Sequence, residues 1–179
     1  MATKKREPQF IEMSPLDALD AGVQEIMSLA EEMRSWYDNM PENFQNGDRG
    51  ERVSEAADAL ESADAENRFS ALEDAIDIVR DGTPAKHGRA AVEPVEGLAE
   101  GWDKLKVRLL APKRGRRGPS RADRLSDAVA SIEAGIEVFR NSVEAHKEHE
   151  LMQDVVEALD EMEEVISEVT NVDFPGMFG

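Results

Sequence analysis

Ser14-Pro15-Leu16-Asp17-Ala18-Leu19-Asp20-Ala21-Gly22-Val23-Gln24-Glu25-Ile26-Met27-Ser28-Leu29-Ala30-Glu31-Glu32-Met33-Arg34-Ser35-Trp36-Tyr37 decides how the rest of the chain is read. Ser14 can cap a helix, Pro15 suits the first helical position, and Asp17 follows the cap by three residues. Leu16, Leu19, Val23, Ile26, Ala30, Met33 and Tyr37 then recur at spacings alternating between three and four. That period places all seven on one stripe of a helix. Pro41 disfavours helical geometry at Met40 and sets the stop nearby.

The same signature recurs further along. Val53, Ala57, Leu60 and Ala63 form one stripe, and Phe69, Leu72, Ile76 and Val79 form another. The polar run Asp64–Arg68 offsets their registers, which predicts a kink or a tight break. Glu42–Gly50 reads as a polar turn before them. Ser120 with Asp123 makes a second helix start of capping-box type. It leads into Leu125, Val129, Ile132, Ile136, Phe139, Val143 and His146. A last stripe, Met152, Val155, Leu159, Met162, Ile166 and Val169, is shifted in register across Lys147–Glu150, so a bend or a new helix is expected there. The pattern predicts an all-α chain, an antiparallel helical bundle or coiled-coil hairpins. Its heptad-like stripes also suit a dimer.

Residues 82–120 are different in kind. They hold four of the eight Pro and six of the twelve Gly, which argues against one continuous helix. A single short helix over about 95–110 is expected from Leu98, Trp102, Leu105 and Leu109. Charge inverts as well. Residues 86–124 carry 11 Lys or Arg against 5 Asp or Glu, a net +6, which leaves −24 on the remainder of a chain whose total is −18. The expected organisation is a basic arm over 1–13, a helical hairpin over 14–81, a basic connector over 82–120, a helical segment over 121–170 and an apolar tail over 171–179.

Composition excludes several functions. With no Cys there is no disulfide framework, zinc–thiolate site or Cys nucleophile. The basic Lys4-Lys5-Arg6 has no apolar segment behind it, so it is not a secretory signal, and no run is long enough to span a bilayer. These readings predict a cytoplasmic protein with no membrane contact. A dense carboxylate surface repels nucleic-acid backbones and attracts basic protein surfaces.

The motifs that could carry chemistry each have an ordinary alternative. Lys113, Arg114, Arg116, Arg117 and Arg121 form a basic cluster that could contact a partner, nucleic acid or a nucleotide. Arg114-Gly115-Arg116 resembles an AT-hook core, a minor-groove ligand, but that family has Pro where this chain has Arg117. A solvated loop, or one resting on the chain's own acidic faces, is the default. Acidic pairs at helical spacing (Glu55/Asp58, Glu61/Asp64, Glu157/Asp160, Glu161/Glu164) are the kind that hold magnesium in all-helical nucleotide pyrophosphohydrolases. Among 39 acidic residues, such pairs also arise by chance. His146 and His149 could share a metal, but Val143 and His146 stand where a di-iron bundle has Glu. A helix-end cap is the default for the histidines. No catalytic constellation is legible, and no cofactor or resident metal is predicted. Trp36, Tyr37, Phe174, Met177 and Phe178 are expected to serve packing or an oligomer contact, with the tail tucked into a groove of the bundle.

The stretch Trp36-Tyr37-Asp38-Asn39-Met40-Pro41-Glu42-Asn43-Phe44-Gln45 with the acidic helix over 51–63, and the ending Val172-Asp173-Phe174-Pro175-Gly176-Met177-Phe178-Gly179, resemble segments of small acidic proteins encoded by tailed phages and prophages. The resemblance covers about a quarter of the chain. It implies a phage accessory role and no particular activity. The function expected is therefore a non-enzymatic protein that binds a basic host protein, of an anti-defence or DNA-mimic kind. Binding of nucleic acid or a signalling nucleotide through residues 113–121 is one alternative. An all-α metal-dependent nucleotide phosphohydrolase is the other.

Overall fold

The fold is described from a computed structural model covering residues 9–84, 91, 93–95, 97–111, 118–149 and 151–176. It is an all-α architecture with one small addition. The order is β1 (Phe10–Met13), α1 (Pro15–Asp38), α2 (Glu42–Gln45), α3 (Asp48–Ser62), α4 (Ala65–Asp81), α5 (Leu98–Lys104), β2 (Val107–Leu110), α6 (Arg121–Glu144) and α7 (Leu151–Val169).

The helix starts follow their sequence signals. The Ser14 side chain accepts from the Asp17 amide at 3.0 Å. At α6 the capping box is complete: Ser120 Oγ accepts from the Asp123 amide at 3.1 Å, and the Asp123 carboxylate accepts from the Ser120 amide at 3.1 Å. The break between α3 and α4 falls at Asp64, whose φ of 48° is left-handed. Asp tolerates that conformation through local hydrogen bonding, and here its carboxylate accepts from Asn67 Nδ2 at 2.6 Å.

Residue pairs across the seams give the helix directions. Arg49 at the start of α3 meets Trp36 near the end of α1, and Leu60 near the end of α3 lines one cleft with Ile26 and Ala30, so α3 runs antiparallel to α1, with Arg34 bridging to Asp58 and Glu61. Arg121 at the start of α6 meets Glu32 near the end of α1, and Gly135 in the second half of α6 meets Leu19 and Pro15 at the start of α1, so these two are also antiparallel. Arg140 of α6 meets Asp160 and Glu163 of α7 across their hairpin. The α1, α3–α4, α6 and α7 arms thus lie side by side, with α7 closing against α4 and α6. One apolar core joins them, from Leu19, Ile26 and Met33 through Leu72 and Ile76 to Ile132, Phe139, Leu159 and Met162.

The long α1–α6 seam is closely packed. A Cβ added at Gly22 would lie 2.5 Å from Ile132 Cγ1 and 2.7 Å from the Ala128 carbonyl oxygen. One added at Gly135 would lie 2.7 Å from Leu19 Cγ and 2.9 Å from the Pro15 carbonyl oxygen. Glycine at these two positions lets the helix backbones approach.

Four expectations need correction. The helix expected over 95–110 ends at Lys104, and Val107–Leu110 is a strand. The arm over 1–13 contains its antiparallel partner, in register Phe10↔Leu110, Ile11↔Leu109, Glu12↔Arg108 and Met13↔Val107. Local pattern could not show this, because strand formation depends on a partner about 97 residues away. The polar turn over 42–50 contains the short helix α2 and the first residues of α3. His146, placed on the α6 stripe, is exposed, because α6 ends at Glu144.

Candidate functional site

Several of the residues singled out by sequence converge on one corner of the molecule. The last turns of α1, the first turns of α3 and α6, and the segment after α7 meet there. The Glu32 carboxylate accepts from Arg121 Nε and from Arg124 Nη1, each at 2.7 Å. Arg124 also pairs with Glu25 and donates to Ser28 Oγ at 3.3 Å. The Arg121 guanidinium lies 4.8 Å from the Trp36 ring centroid, and that of Arg49 lies 5.7 Å from it. Trp36 thus interacts with two arginines, a cation–π arrangement that stabilises an indole at a helix end.

The tail closes the corner. Arg49 donates to the Gly176 carbonyl, Arg52 pairs with Asp173, Pro175 is buried, and Phe174 packs half-buried against the core. Phe174 therefore lies in the chain's own bundle. Tyr37 is half-buried, and its backbone carbonyl accepts from Gln45 Nε2 at 3.0 Å. Lys113, Arg114, Arg116, Arg117, Met177 and Phe178 lie outside the described residues.

Electrostatics sets the character of this corner. Burial alone pushes the Glu32 carboxyl up, but hydrogen bonds and charge from Arg124 and Arg121 outweigh it and hold the carboxyl below the ordinary carboxylate range. Arg124 is itself held charged by Glu25 and Glu32 against the opposing effect of burial. Arg121, an anticipated contact residue, spends its guanidinium on Glu32 and Trp36. The corner is a clasp that joins the ends of four segments.

The acidic pairs are engaged in a similar way. Asp58 and Glu61 take Arg34, Asp160 takes Arg140, and Glu164 takes Arg68. A cleft of about 400 Å³ between α6 and α7 includes Arg140, already committed to Asp160 and Glu163. Among the described residues no group of three or more His, Asp or Glu is placed to hold a metal ion. His149 Nδ1 accepts from the Leu151 amide at 3.3 Å, which caps the start of α7, and His146 Nδ1 contacts the Ser142 carbonyl at 3.2 Å.

On α4 carboxylates crowd one another, although Asp77 pairs with Arg80 at 3.6 Å. Glu73 of α4 faces Asp20 of α1 and lies near Asp74 and Asp77. Burial first, then repulsion from Asp20, Asp77 and Asp74, pushes its carboxyl above the ordinary range. This patch is not legible in the sequence, because Asp20 and Glu73 are brought together only by the packing of α1 against α4.

No protein-family model matches the chain, and neither a curated protein nor a solved structure matches it. No described helix is long and apolar enough to cross a membrane.

Proposed function

We propose that this chain is a non-enzymatic interaction protein, an accessory factor of the phage kind its segments resemble, which binds a basic surface on a host protein. The patch of Asp20, Glu73, Asp74 and Asp77 carries the reading. Partial burial first, and then repulsion from Asp20, Asp77 and Asp74, raises Glu73, so the fold holds concentrated negative charge at a cost to itself. A cationic partner surface would relieve that repulsion on binding. Such a surface attracts basic partners from a distance and rejects acidic ones. A protein that normally meets DNA phosphates presents a cationic surface, which is the sense in which the chain can act as a mimic.

The test is capture from host lysate by the wild-type chain and by a variant carrying Asp20→Asn, Glu73→Gln and Asp74→Asn. Capture should weaken at least tenfold in the variant and fall steeply between 50 and 300 mM salt, and duplex DNA should compete for the captured protein. Capture indifferent to the triple substitution and to salt would remove the patch from the reading.

A further inference from the structure

The two-stranded ribbon reverses the character of the rest of the molecule. Twelve Lys and Arg residues are described, and eight of them pair with carboxylates: Arg34, Arg52, Arg68, Arg80, Arg121, Arg124, Arg140 and Lys147. Arg49 donates to a backbone carbonyl. The remaining three, Lys104 at the end of α5, Lys106 just before β2 and Arg108 on β2, are exposed, have no carboxylate partner among the described residues, and fall within five positions.

Apolar exposure gathers in the same place. Four large hydrophobic side chains are exposed among the described residues, and three are Phe10 (43%), Ile11 (40%) and Leu110 (64%). Val107 is buried and Leu109 half-buried, so the face holding them turns to the bundle, where β2 packs on α6. Side chains alternate along a strand, so Phe10, Glu12, Arg108 and Leu110 share the outer face. Across it the Arg108 guanidinium lies 4.0 Å from the Phe10 ring centroid. The charge of β2 is thereby carried over onto β1.

The backbone completes the picture. The Ala111 amide donates to the Gln9 carbonyl at 2.8 Å, which makes that pair, and by alternation Ile11/Leu109 and Met13/Val107, the hydrogen-bonded ones. The amides and carbonyls of Phe10 and Glu12 therefore point outward from β1. No described helix packs along that strand, and its residues are exposed down to the half-buried Met13. An open strand edge is a template for another extended chain.

We propose that the β1 edge is a docking site for an extended acidic–aliphatic peptide segment of a partner protein, added as a third strand. The outward peptide groups of Phe10 and Glu12 select an extended backbone. Phe10 and Leu110 receive aliphatic side chains, and Arg108 with Lys106 receives carboxylates. A nucleic-acid base is a poorer occupant, because Arg108 lies over a face of Phe10 on which it would stack. This site is separate from the acidic patch and does not depend on it.

The test uses the full chain and fluorescence anisotropy with a labelled octapeptide, Glu-Glu-Val-Val-Glu-Glu-Val-Val, which presents both residue types on each strand face. Comparison probes are the same peptide with Lys for Glu, the Glu peptide with alternate amides N-methylated, and an oligothymidine of eight nucleotides. The Glu peptide should bind at least tenfold more tightly than the Lys and N-methylated peptides. Lys106→Ala with Arg108→Ala should weaken it at least fivefold. Glu12→Pro, which removes an outward amide while sparing the inward-facing pairs, should do the same where Glu12→Gln does not. Thermal melts check that each variant is folded. Equal binding of Glu and Lys peptides, indifference to N-methylation, or tighter binding of oligothymidine would each overturn the proposal. So would a concentration-dependent dimer in sedimentation that Glu12→Pro abolishes.

Discussion

The helical arms and the ribbon use the same cations in opposite ways. Along the arms an arginine on one helix faces a row of carboxylates on the next, because residues three and four apart on a helix stand side by side. Arg34, Arg68 and Arg140 each bridge two such carboxylates. On the ribbon, side chains alternate between faces and a single carboxylate, Glu12, lies opposite Arg108; Arg108, Lys104 at the end of α5 and Lys106 just before β2 form no ion pair among the described residues. The net charge of −18 is thus a property of the arms and does not describe every surface of the protein. Long-range attraction to the arms and short-range docking at the ribbon can therefore recruit different partners.

The contrast breaks most severely at the α1–α6 seam. Gly22→Val places its first carbon 2.7 Å from the Ala128 carbonyl oxygen, which cannot move without shifting α6. The expected loss is about 3 kcal/mol of unfolding free energy by chemical denaturation, as for overpacking in a rigid core. Gly22→Ala should lose less, because alanine's better helix propensity, worth about 1 kcal/mol, offsets part of the clash. A Gly22→Val protein as stable as wild type would mean that the two helices do not approach this closely.

At the clasp the expected effect is smaller. Glu32→Gln removes the charge that Arg121 and Arg124 share and should cost about 1–2 kcal/mol near neutral pH. The sign with pH follows from the lowered carboxyl. Its contribution is fully present above the ordinary carboxylate value of 4.5 and is lost as pH falls through the lower folded value. Melts of wild type and Glu32→Gln should therefore converge in acid. A difference that stays constant down to pH 2 would assign the loss to packing.

How much of this was legible in sequence depends on the range of the forces involved. The stripes of α1, α3, α4, α6 and α7, the two Ser caps and the break at Asp64 are local, so periodicity and capping residues predict them. Leu19, Val23, Ile26 and Met33 are buried as their spacing demands. The additional burial of Ala18, Gly22 and Leu29 comes from α1 having neighbours on more than one side. The ribbon was not legible, because Phe10–Met13 and Val107–Leu110 become strands only by meeting each other. The candidate residues were legible one at a time and not as a group. Trp36, Arg121 and Phe174 stand out by type, but that they close one corner through Glu32, Arg49 and Arg52 is a matter of tertiary packing.

The acidic patch should respond in the opposite sense to the clasp. Glu73 is raised, so its charged form opposes folding above the folded value, and that cost disappears as pH falls below the ordinary range. Glu73→Gln should raise stability by at most about 0.5 kcal/mol near neutral pH, since the side chain is exposed and screened. The gain should shrink in acid and in high salt. A variant that loses stability at pH 7 would show that Glu73 is not repelled there.

The smallest effect belongs to the ribbon, and its smallness is informative. Leu110 is 64% exposed and stands opposite Phe10 in the ribbon, so Leu110→Ser removes little burial. Its expected cost is within about 0.5 kcal/mol, the range of ordinary surface substitutions. A core leucine such as Leu159, fully buried, should lose about 2–5 kcal/mol on truncation to Ala. If Leu110→Ser proved as costly as Leu159→Ala, then Leu110 would be covered in solution and the β1 edge would not be free to receive a strand. If it is nearly silent in denaturation yet weakens binding of the Glu-Val peptide, the leucine is kept at the surface for contact rather than for folding.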